Sequence, residues 1–137
     1  MPTMTLTRQD ARLEAALGQT ITSLVANEAR ADASTCRVIE THRALVAAET
    51  AVSFQRVRLI NIAAAQRIVD DGVLDALDAQ LERLEVAAEE RDVLEADLVR
   101  LLQEREGEAK QQADQAASAP AAAPVPVVVV QGAARRR

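Results

Sequence analysis

The sequence predicts an all-α protein: a long antiparallel helical hairpin of the coiled-coil kind, with room for a third helix and an extended or disordered C-terminal tail. Three observations carry that prediction. The 137 residues include 29 Ala, only four Gly and four Pro, and a single aromatic residue, Phe54, which is helix-forming material. Apolar residues recur every seven positions across the first half. Between that half and a second heptad-like stretch stands Asp70-Asp71-Gly72, a combination suited to ending one helix and capping the next.

Residues 1–6 form a short N-terminal extension. Thr7-Arg8-Gln9-Asp10 reads as a helix start, because a Thr hydroxyl can accept from an early backbone N–H and an acid suits the positive helix end. No Pro interrupts the chain from there to Pro120. Leu17, Leu24, Ala31, Val38, Leu45, Val52 and Leu59 follow one another at intervals of seven, with Val25, Ile39, Val46 and Ile60 directly after four of them. A seven-residue period keeps one seam of a helix turned to a partner.

Three positions after the first six members stand Thr20, Asn27, Ser34, Thr41, Ala48 and Gln55. Small and polar side chains there weaken packing and can fix register. Ala31-Asp32-Ala33-Ser34-Thr35 can cap a new helix, although the unbroken period favours one continuous first helix. Gly72 is expected in the left-handed conformation that closes that helix, with the turn at residues 70–72.

The second helix is expected from there to about residues 113–117, with Leu74, Leu77, Leu81, Leu84 and Ala88 spaced by threes and fours. Residues 7–117 thus make the hairpin, with arms of about 60 and 45 residues, or roughly 90 Å and 65 Å. The longer first arm leaves a surplus that either folds back as a third helix or is covered by another molecule. Residues 118–137 are an Ala/Pro/Val tail in which Val127, Val128, Val129 and Val130 can be disordered or can add as a strand to a partner's sheet.

Charge separates along the chain. Residues 1–69 carry a net +2, residues 70–115 a net −10 and the remainder +3, giving −5 in all. Opposite arms should attract, and Arg30, Arg37 and Arg58 sit beside seam positions where they could meet acids of the second arm.

Asp71, Asp75, Asp78, Glu82, Glu85, Glu89 and Asp92 alternate by four and three on one stripe of the second helix. Such a stripe either keeps the rod soluble or orients a basic protein partner. Val52, Phe54, Val57, Leu59, Ile60 and Ile62 spread too widely round the first helix for one narrow contact. They therefore predict a second packing or oligomer surface.

No catalytic, cofactor or metal site is expected. One His, His42, and one Cys, Cys36, six residues apart, make no zinc set. A straight acidic helix cannot wrap six to eight oxygens round calcium. Nucleophilic catalysis needs a base and an orienting group that His42 has no assignable partners to form. The acidic balance, with no basic run before Arg135-Arg136-Arg137, argues against nucleic acid. Neither a leader-like block nor a stretch of about 18 apolar residues occurs, so the expected location is the cytoplasm, without a membrane span.

The hairpin, with the Glu/Arg/Ala texture of residues 87–98 (Ala-Ala-Glu-Glu-Arg-Asp-Val-Leu-Glu-Ala-Asp-Leu), resembles the coiled-coil stalk proteins of type III secretion and flagellar export. That resemblance implies a non-enzymatic stalk or adaptor working with an export ATPase or a chaperone. The competing expectations are a homo-oligomeric structural subunit of a virion or other assembly, and a helical secretion chaperone.

Overall fold

The computed structural model describes residues 6–119. These are all helical apart from caps and connections: α1 (Asp10–Leu17), α2 (Ile21–Ala26), a 3-10 turn (Glu28–Arg30), α3 (Ala33–Ala65) and α4 (Asp71–Ser118). At 33 and 48 residues, α3 and α4 are about 50 Å and 70 Å long. They run in opposite directions side by side: Thr35 is bonded to Arg105 near one end, and Gln55 to Gln80 towards the other. The end with α1 and α2 is called the base here, and the end with the connection 66–70 the tip.

The first arm is thus four pieces rather than one helix. Gly18, at φ 65°, takes the left-handed conformation that ends α1. Thr20 then caps α2, its hydroxyl accepting from the Ser23 N–H at 3.2 Å. Asp32 caps α3 by accepting from the Thr35 N–H at 2.8 Å, so the capping signal in residues 31–35 prevails over the heptad. Each cap satisfies a backbone donor that the first helical turn leaves unpaired, worth about 1 kcal/mol.

The surplus of the first arm folds back on the base. Leu13 of α1 and Leu24 of α2 join Val38, Ile39 and Leu45 of α3 and Leu98, Leu101 and Leu102 of α4 in one buried cluster. Leu17 and Leu24 therefore reach the core from short helices, not from a continuous seam. Only the later members of the heptad, Val38, Leu45 and Val52, mark the buried side of α3, with Leu59 half-buried beyond them.

The connection also differs from the expected turn at 70–72. α3 stops at Ala65, and Asp70 caps α4 by accepting from the Val73 N–H at 2.9 Å. Gly72 lies in the first turn of α4, and Gly18 is the only described glycine with positive φ. At the other end, α4 runs past the start of α3, and residues 106–119 are exposed. The longer arm is the second, opposite to the expectation.

Candidate interaction surface

Packing is uneven along the α3–α4 pair. Near the base, Leu45, Leu98 and Leu102 are at most 1% exposed. Past Val52 towards the tip, no aliphatic side chain is fully buried, and the one buried residue of α4 is polar: Gln80, at 0% exposure. Its Nε2 donates to the Gln55 side-chain oxygen at 2.7 Å and to the Gln55 carbonyl at 3.2 Å. A single satisfied amide pair between two helices fixes their register at the expense of apolar packing.

The six residues expected to form a packing surface divide by position. Val52 is buried against the rest of the chain and Leu59 and Ile62 are half-buried, whereas Phe54, Val57 and Ile60 are 56%, 54% and 63% exposed. Spacing explains the split: Val52, Gln55 and Leu59 recur by threes and fours on the side of α3 that meets α4, and Phe54 and Val57 fall on another side. Ile68 and Val69 of the connection and Leu74 and Leu81 of α4 are exposed as well. These last two were expected inside the seam. They lie outside it because the buried face of α4 passes through Gln80, Leu98 and Leu102.

All seven carboxylates of the acidic stripe are exposed. Among the described residues only Asp92 has an ion-pair partner, its neighbour Arg91 at 2.6 Å. The expected pairing of Arg30, Arg37 and Arg58 with the second arm does not occur among the described residues. Arg58 instead lies over the Phe54 ring, 5.7 Å from its centre. Among the described residues two ion pairs bring the second arm to the first. Arg12 meets Glu106 through two nitrogens, each 2.9 Å from a carboxylate oxygen, and Arg105 meets Asp32 at 3.2 Å with the charges of the arms reversed. The Arg12 guanidinium holds Glu106 below the usual carboxylate range, and the Thr35 hydroxyl and N–H do the same for Asp32. All four side chains are solvated enough that such pairs add little to stability.

The charged contact with more consequence is buried at the base. Asp10 is 4% exposed, and its carboxylate accepts from three donors: the Leu6 N–H at 2.6 Å, the Thr7 hydroxyl at 2.5 Å and His42 Nε2 at 2.8 Å. Burial alone would raise the Asp10 pKa, but the hydrogen bonds from Thr7 and His42 outweigh it, leaving the carboxyl below its ordinary value. The carboxylate stands between Thr7 and His42, so the imidazole cannot act as the hydroxyl's base through this contact. The three side chains form a clasp that ties the segment before α1 to α3. In the sequence Asp10 reads as a helix-end charge and His42 has no visible partner. The signal was a His four residues after Val38 on an apolar seam, where burial requires a partner.

The grooves beside the long helices are open; one of about 430 Å³ is walled by Ala51, Gln55, Glu82, Arg83, Val86, Ala87 and Glu90. Among the described residues no group of three His, Cys, Asp or Glu is placed to hold a metal ion, and no helix is long and apolar enough to cross a membrane. Val127–Val130 lie outside the described residues. Comparison with protein-family models, curated proteins and solved structures found no match to this chain.

Proposed function

We propose that this chain is a non-enzymatic interaction protein: a coiled-coil hairpin, stabilised at its base by α1 and α2, that presents its tip half to another protein. The observation that carries this reading is the concentration of exposed apolar side chains there. Phe54, Val57, Ile60, Ile68 and Val69 are each more than half exposed on one short stretch of chain, a density that marks contact surfaces rather than ordinary solvent faces.

A photoreactive amino acid at position 57, in the cells that make the protein, is expected to give a protein adduct, and the same probe at Gln103 near the base none. Absence of an adduct at position 57 would defeat the reading. The narrower form, a stalk or adaptor of a type III export apparatus in the cytoplasm, is supported by the hairpin alone. The exposed tip favours an assembly subunit at least as well, since a contact surface of this kind serves a partner or a copy of the chain.

A further inference from the structure

We infer that the groove between α3 and α4 towards the tip, on the side that α1 covers at the base, is the seat of a basic amphipathic helix of a partner protein. This rests on the docking reading above and names one face and the chemistry of its occupant. The first support is continuity. Leu74, Leu81, Ala88, Glu95 and Leu102 recur by sevens along one stripe of α4, and His42, Glu49, Arg56 and Ala63 along one stripe of α3. In a pair of helices packed along a heptad seam, such a stripe stays on one side of the pair. At the base α1 lies on both stripes: Asp10 is 2.8 Å from His42 Nε2, Gln9 Nε2 donates to Glu95 at 2.9 Å, and Leu13 is buried in one cluster with Leu102. Towards the tip the same stripes lie open, with Leu81 and Leu74 43% and 48% exposed. Ile60, one turn beyond Arg56 on α3, is exposed beside them.

The second support is charge. The seven carboxylates of the acidic stripe fall into two rows of sevens, and the row beside the groove, Asp71, Asp78, Glu85 and Asp92, meets the same side of α4 again at Glu106, fourteen residues further on. There α1 answers it: two nitrogens of Arg12 each stand 2.9 Å from a Glu106 oxygen. The helix seated in this groove therefore turns a guanidinium to the acidic row. Nearer the tip the row has no such counterpart, for among the described residues Asp71, Asp78 and Glu85 pair with no cation and Asp92 holds only its neighbour Arg91. A helix that lays an apolar stripe on Leu74, Leu81 and Ile60 and turns Lys or Arg to α4 repeats the arrangement of α1, and the opposite charges orient it. The same acids repel phosphates, so neither nucleic acid nor an anionic lipid surface suits the row.

From Ala88 to Leu74 the open stretch spans 14 residues of α4, about 21 Å, room for about four turns of helix. The chain's own tail cannot take this place. Val127–Val130 begin nine residues after the end of α4 and reach at most about 40 Å from it. Leu81 lies 37 residues up α4 from Ser118, about 55 Å away.

The test is fluorescence anisotropy with a labelled synthetic peptide of about 15 residues, four turns long, in which Leu recurs by threes and fours and Lys flanks it. The full chain is the titrant, and circular dichroism checks the helicity of each variant. Wild type is expected to bind with a Kd of about 10 µM, and the same peptide with Glu for Lys about tenfold more weakly or worse. Leu81→Gln with Ile60→Gln should weaken binding about tenfold, whereas Phe54→Gln, on another side of α3, should leave it unchanged. Asp78→Lys with Glu85→Lys should weaken it roughly a hundredfold and turn the preference to the Glu peptide. No binding at about 100 µM, equal losses from Phe54→Gln and the Leu81/Ile60 pair, or a reversed pair that still prefers Lys would overturn the inference. If deleting residues 2–5 tightens binding about tenfold, the groove belongs to the chain's own N-terminus; if wild type sediments at twice the chain mass and the Leu81/Ile60 pair does not, it belongs to a second copy. Either result overturns the inference. An adduct at position 57 without peptide binding overturns the groove and keeps the docking reading, and no adduct at position 57 overturns both.

Discussion

Asp10→Ala is expected to lower the unfolding free energy by about 3 kcal/mol, because three donors lose their acceptor at once in a site closed to water. The donors are the Leu6 N–H, the Thr7 hydroxyl and His42 Nε2. A loss of that size is a large fraction of the 5–15 kcal/mol typical of a folded domain. Asp10→Asn, which keeps one oxygen, should lose less. The pH dependence follows from the lowered Asp10 pKa. A carboxyl that binds its proton less readily when folded stabilises the fold above its unfolded pKa. That contribution fades as pH falls below about 4 and through the folded value. Urea melts of wild type and Asp10→Asn should therefore differ most near neutrality and converge in acid. A gap between them that ignores pH would show that the ionised carboxylate contributes nothing.

Leu98→Ala is the second large expected loss, again about 3 kcal/mol, with Tm falling on the order of 10 °C. Leu98 is 0% exposed and stands in the cluster where α1, α2, α3 and α4 meet. The four elements hold one another's positions there, so a cavity of three carbons has little freedom to collapse. Leu81→Ala, on the same helix but 43% exposed, should cost much less in a monomer. Equal losses at the two positions, read by thermal denaturation, would contradict the uneven packing along the pair.

What the sequence disclosed depended on how local the physics was. Asp32 and Asp70 cap the helices that follow them, and a cap is written within four residues. The separation of charge was plain by counting, and the seven stripe carboxylates do reach solvent. Gly18 was hidden because Leu17, Leu24 and Ala31 happen to continue the period of seven across a real break, so a long-range pattern masked a local signal. Gly72 misled in the opposite way. An Asp-Gly pair fits both the end of one helix and the first turn of the next, and only the early stop of α3 at Ala65 decides between them. Pairing at long separation was the least legible. Asp10 with His42 and Arg105 with Asp32 are 32 and 73 residues apart, and no short-range rule selects Asp32 over the many acids nearer to Arg105.

The contrast between tip and base also bears on the order in which the molecule closes. Gln55 and Gln80 are 25 residues apart in the chain, whereas Arg12 and Glu106 are 94 apart. Loop-closure entropy grows with the logarithm of that separation, so by itself it favours the tip. Yet the apolar contacts that reward closure are concentrated at the base. Entropy and packing therefore pull towards opposite ends of the rod, and a zipper started at the connection would gain little until it reached Val52. A second chain at the tip would remove this conflict, giving the end that meets itself most readily something to hold.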